Sequence, residues 1–109
     1  MHTLDSALHR TALIVEYDLW DRWFATHLLV SQDYDVVSAS NGASALRLAQ
    51  QHPCDVILIG LALPEIAGPE LLRQLRINAA TREIPVIVLG KPVNETQVVT
   101  ELGRVLTRA

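Results

Sequence analysis

The sequence predicts an α/β domain in which a small parallel sheet lies between two layers of helices. Three observations carry that prediction. Residues 11–15, 56–59 and 86–89 are short apolar runs without polar alternation, the pattern of strands buried on both faces. Segments of helical length separate them, so strand and helix alternate as in βαβ units with right-handed crossovers. The chain has 109 residues, 50% of them hydrophobic and 19% charged, a size and balance that suit one compact core rather than two.

Each element follows in turn. Residues 11–15 (TALIV) are a branched apolar run flanked by Arg10 and Glu16, hence the first strand. From 19 to about 32 neither proline nor glycine intervenes and the length suits a helix, with Phe24, Ala25 and Leu28 as its core face. Residues 34–38 supply a second strand, and Asn41-Gly42 punctuates the chain. Over 43–51, Ala45, Leu46 and Ala49 share one helical face, and Pro53 lies just beyond the stop. Residues 56–59 are the third strand. Gly68-Pro69-Glu70 puts proline in the first turn of a third helix whose Leu71, Leu72 and Leu75 face inward. Residues 86–89 are the fourth strand. Asn94 and Gln97 have capping-box spacing and open a last helix with the stripe Val98, Val99, Leu102, Val105 and Leu106. Residues 1–10 read as an N-terminal extension and 11–109 as the domain.

Composition excludes several function classes. The net charge is −3 and the basic residues are scattered, so the electrostatic footprint of nucleic-acid binding is missing. Cys54 is alone, which rules out an internal disulfide and a cysteine zinc site and reads as a buried thiol. No apolar run approaches the roughly 20 residues that cross a bilayer, and residues 1–10 lack a leader's apolar stretch, so a cytoplasmic location is expected. His2, His9, His27 and His52 show no ligand spacing. Ser6, Ser31, Ser38, Ser40 and Ser44 lack the Gly-x-Ser-x-Gly turn of a hydrolase. No catalytic activity and no cofactor are expected.

The pieces ALIVEYD (12–18), YDVV (34–37), NGASAL (41–46), DVILIG (55–60), LPEIAG (63–68), LLRQLR (71–76), IPVIVL (84–89) and Lys91-Pro92 resemble, in order and spacing, the receiver domain of bacterial response regulators. The resemblance covers nearly everything after Arg10. It implies a three-layer, flavodoxin-like sandwich with parallel strand order 2-1-3-4, the first and last helices on one face and the second and third on the other. It also implies a truncation. Lys91-Pro92 follows the fourth strand at once, whereas the family places this pair after a further helix and a fifth strand. The family's fourth helix and fifth strand, a unit of roughly twenty residues, are missing.

The resemblance further implies a degenerate phosphorylation site. In the family an aspartate ending the third strand accepts a phosphoryl group. Mg²⁺ held by an acidic pair after the first strand assists, and a hydroxyl and a lysine complete the site. The matching positions are Gly60, Glu16 with Tyr17, Gly90 and Lys91. Glycine has no side-chain oxygen to form an acyl phosphate, a phenol does not balance a divalent charge, and Asp18 stands one position late. Lys91 is expected to pair with Glu16 instead. The implied function is that of a phosphorylation-independent pseudo-receiver in two-component signalling, a protein–protein interaction module. The alternative is a ligand-binding module in which Gly60 and Gly90 open a pocket at the carboxyl ends of the strands.

Two surfaces are candidates for partners. Trp20, Trp23, His27 and Val30 recur at three- and four-residue spacing on a stripe of the first helix away from its core face. The fourth strand, with the fifth deleted, becomes an apolar edge with no charge between Glu83 and Lys91, and Val86 and Val88 on it suit a homodimer whose interface includes this strand or the last helix beside it.

Overall fold

The computed structural model describes residues 9–106. His2, Ser6, most of the expected N-terminal extension, residues 107–109 and the side chain of Leu106 lie outside the described part. The elements are β1 (Arg10–Val15), α1 (Leu19–Ser31), β2 (Tyr34–Ala39), α2 (Gly42–Gln51), β3 (Val56–Gly60), α3 (Gly68–Ile77), β4 (Val86–Leu89) and α4 (Glu95–Leu106). The strands form one parallel sheet in the order β2-β1-β3-β4, as expected. Residues 90–94 join β4 directly to α4, and among the described residues no fifth strand flanks β4.

Side chains alternate across the sheet, and the two faces bury separate clusters. Ala12, Ile14, Val56, Leu58, Ile87 and Leu89 meet Ala25, Leu28 and Leu29 of α1 and Val98 and Leu102 of α4. Leu13, Val15, Ile57 and Ile59 meet Ala45 and Ala49 of α2 and Leu71 and Leu75 of α3. The helices therefore divide between the faces as the resemblance implied. At Gly68, where α3 begins, an added Cβ would stand 3.1 Å from the Gly60 carbonyl oxygen and 3.3 Å from the Leu61 Cα. A side chain there would be tight against the backbone at the end of β3, so glycine lets α3 start close to that strand.

Side-chain caps start three of the helices. Asp18 accepts from the Asp21 N–H at 2.9 Å, Asn41 from Ser44 at 2.8 Å and Asn94 from Gln97 at 2.8 Å. Asn41, at the expected break in the chain, thus opens α2. The capping box expected at Asn94 is only half made, because the Gln97 side chain reaches the Val88 carbonyl instead, at 3.2 Å. Phe24 is a second correction, since it is 36% exposed and Leu29 takes its place in the core. The helix is turned so that Ala25, Leu28 and Leu29, at i, i+3 and i+4, point inward.

Candidate functional site

The carboxyl ends of β1 and β3 and the loop after β4 converge on one rim of the sheet, where open parallel sheets place their sites. The Glu16 N–H continues the β1–β2 ladder by bonding the Ala39 carbonyl at 3.0 Å. The Glu16 side chain folds back over the sheet and is only 5% exposed. Its Oε2 accepts from the Asp18 N–H at 3.0 Å. A Cβ added at Gly60 would run into Glu16 Oε1 and lie 2.9 Å from its Cδ. The Glu16 carboxylate therefore fills the space a side chain at position 60 would need.

Lys91 does not pair with Glu16. Its Nζ donates to Asp21 Oδ2 at 3.2 Å and stands 3.9 Å from Asp18 Oδ2. Both carboxylates stand at the start of α1, Asp18 as its N-cap and Asp21 in its first turn, closer to the Lys91 ammonium than the folded-back Glu16 is. The bond to Asp21 raises the Lys91 pKa above its ordinary value, slight desolvation opposes it, and the charges of Asp18 and Glu16 add to it. Arg22 supports the same loop from beneath by donating through Nη1 to the carbonyls of Glu16 at 2.8 Å and Tyr17 at 3.2 Å. Tyr17 itself is 61% exposed and takes no part in the cleft.

The family's divalent cation does not fit these donors. The Glu16 carboxylate lies against Gly60. Asp18 is occupied in capping α1, and Asp21 in bonding Lys91. Among the described residues no three His, Cys, Asp or Glu side chains are grouped to hold a metal ion. Gly90 has no side chain to offer. It lines a groove of about 600 Å³ between β4 and α4, with Leu61, Val88, Gln97 and Glu101. Gly60 is not among the residues that line that groove.

The two candidate surfaces lie apart. Trp20 is 76% exposed, Trp23 54% and Val30 55%, and His27 is exposed beside them. The rings of Trp23 and His27 meet edge-on at 4.3 Å between centroids, and those of Trp20 and Trp23 at 6.5 Å. On the other flank Val88 is 44% exposed and Val86 half-buried. A small apolar cleft of about 120 Å³ opens beside them, walled by Ile59, Leu72 and Pro69. Cys54 is half-buried rather than buried, and its thiol donates to the His52 carbonyl at 3.2 Å. Burial, and then Asp55, push that thiol's pKa up.

The sequence does not mark Asp21 or Arg22 as site residues, and it marks Gln97 only as half of a capping box with Asn94. Asp21 and Arg22 carried one available signal, as charged residues in the first turn after the Asp18 cap and hence near the loop that α1 follows. Gln97 carried none, because its capping-box spacing predicted a different partner.

Comparison with known proteins places these features in a family. The response regulator receiver domain matches residues 12–104. Over 84 residues the chain is 33% identical to the protein PilH of Pseudomonas aeruginosa, covering 77% of this chain and 69% of that one. It is 36% identical over 78 residues to a probable cyclic di-GMP phosphodiesterase of Vibrio cholerae, covering 70% of this chain and 18% of that protein. It spans only 6% and 35% of two other curated relatives, a histidine kinase of Formosa agariphila and a probable transcriptional regulator of Pyropia yezoensis. A putative response regulator of Chloroflexus aurantiacus superposes with a TM-score of 0.85 at 22% identity, covering 92% of this chain and 99% of that one. No helix among the described residues is long and apolar enough to cross a membrane.

Proposed function

The chain belongs to the response regulator receiver domain family, and from that premise we propose that it is a pseudo-receiver that signals without phosphorylation and without catalysis. The reading rests on one observation: the Glu16 carboxylate occupies the space above Gly60. Position 60 offers no oxygen to attack a phosphodonor. The room that the side chain of a phosphoacceptor at position 60 would need is taken by the Glu16 carboxylate. Lys91, which the family directs at the phosphoryl group, is engaged by Asp21.

What remains is binding. The exposed Trp20–Trp23–His27 stripe offers aromatic surface of the kind enriched at interface centres, and the open edge of β4 offers backbone groups to a second strand. The role is that of a cytoplasmic protein–protein interaction module in two-component signalling. It forms a homodimer through β4 and leaves the α1 stripe for a different protein partner.

The test is chemical. Incubation with acetyl phosphate and Mg²⁺, followed by intact-mass measurement, should leave the protein unmodified, and beryllofluoride with Mg²⁺ should leave its amide spectrum unchanged. A stoichiometric gain of one phosphoryl group would overturn the reading.

A further inference from the structure

β4 is a strand with one side paired and one side open. The Ile57 N–H donates to the Pro85 carbonyl at 3.0 Å, so the backbone groups of Pro85 face β3. In a parallel ladder successive residues alternate sides, which points those of Val86 and Val88 away from β3, toward the open edge. One of these outward groups is covered. Gln97, from the first turns of α4, lays its side chain across the edge and donates from Nε2 to the Val88 carbonyl at 3.2 Å. Holding that position leaves Gln97 Oε1 buried with no hydrogen-bond partner among the described residues. An orphaned buried acceptor opposes the bond that its own amide makes. The contact is therefore weakly held, closing the strand edge without locking it.

The open groups form a self-complementary pattern. If a second copy approaches antiparallel with its two-fold axis at Ile87, Val86 stands opposite the partner copy's Val88 and Val88 opposite its Val86. Residues so opposed exchange both of their N–H···O bonds, which gives four bonds across the pair. Two of the four acceptors are the Val88 carbonyls, one from each copy, and each is the group that Gln97 covers. The side chains of Val86 and Val88 share one face of the sheet, beside the small apolar cleft of Leu72 and Pro69, so an antiparallel pair would set the two copies' valines side by side as cross-strand neighbours.

We propose that Gln97 is a latch on the β4 edge: it caps the Val88 carbonyl in the single chain and yields it to the Val86 N–H of a second copy. The inference rests on the homodimer reading above and adds its register and its control. In the pair the Gln97 amide swings into the groove along α4, where water satisfies its oxygen. The single chain is protected from indiscriminate strand addition, and dimer formation carries the small cost of opening two latches.

Sedimentation equilibrium and light scattering of the whole chain test this, with Gln97→Ala and Gln97→Met as variants. Met keeps the apolar stem but cannot donate, so it separates loss of the bond from loss of packing. Both variants should dimerise at least about fivefold more tightly than the wild type, the effect of removing two weak competing hydrogen bonds. Val88→Lys should abolish pairing in either background while the far-UV spectrum stays native. A wild type that dimerises with an affinity the Gln97 variants do not change overturns the latch and leaves the dimer standing. A monomeric wild type beside dimeric Gln97 variants supports the latch and overturns the dimer reading for the native chain. Dimers indifferent to Val88→Lys overturn both, and a heterologous strand or peptide captured in their place would name a different occupant.

Discussion

The inner strands are apolar and closed in on both faces, whereas the rim they carry is polar and partly open to water. Residues 12–15 of β1 and 56–59 of β3 are at most 2% exposed, sandwiched between α1 and α4 on one face and α2 and α3 on the other. At the carboxyl ends of β1 and β3 and just after β4, the positions that the resemblance matches to the family's reactive groups hold Tyr17, Gly60 and Gly90. One flank of the sheet has also lost a helix and a strand. The inner pair shows where the fold is specified: apolar area removed from water by two helix layers, independent of what stands at the strand ends. The rim can lose its reactive groups without the fold giving way, because those groups contribute little burial.

That contrast can be broken by mutation, and the largest effect belongs to the interior. Leu58→Ala should cost about 2–5 kcal/mol in urea denaturation, the range for emptying a fully buried leucine site. A loss below that range would mean that the inner strands are less decisive than their burial implies. Gly60→Asp should fall next, at about 1–3 kcal/mol, since the new side chain must displace the buried Glu16 carboxylate and release the Asp18 N–H. It should still take no phosphoryl group from acetyl phosphate, because Tyr17 leaves the metal site a ligand short. Efficient labelling of that single variant would show the rim to be more intact than its geometry implies.

Effects shrink further at the surface. Trp20→Ala combined with Trp23→Ala should change stability by less than about 1 kcal/mol while weakening association with a partner. Unfolding of that double variant would assign the indoles to the core. The smallest effect is electrostatic. Bonds from Arg73, then from Gln74, hold the Glu70 carboxyl at about 2, below its ordinary 4.5. A depressed carboxyl stabilises the fold fully above its unfolded pKa, so this contribution is present above pH 4.5 and fades as pH falls through about 2. Solvent screening of so exposed a pair keeps the effect on melting small. A carbon-detected titration of Glu70 with a midpoint near the ordinary value would show that the pair does not form in solution.

The sequence was most legible where one force dominates. Apolar runs placed all four strands within a residue or so, and the missing spacer before Lys91-Pro92 disclosed the truncated flank. Periodicity was less decisive in α1, where apolar residues occur all round and Phe24 and Leu29 compete for the core. Polar partners were the least legible. Lys91 could reach several carboxylates from its flexible stem, and its choice of Asp21 depends on how the first turn of α1 is set by the Asp18 cap. The folding back of Glu16 over Gly60 depends on a void that exists only once β1 and β3 are side by side.

That Glu16 stands in for the side chain absent at position 60 is best tested by a double-mutant cycle of Glu16→Ala and Gly60→Ala, read by urea denaturation. The expected result is that a methyl group at position 60 costs stability beside Glu16 and little beside Ala, with a coupling of about 1 kcal/mol or more. Single costs that add to within about 0.5 kcal/mol would contradict it, because the carboxylate would then not occupy the space above Gly60.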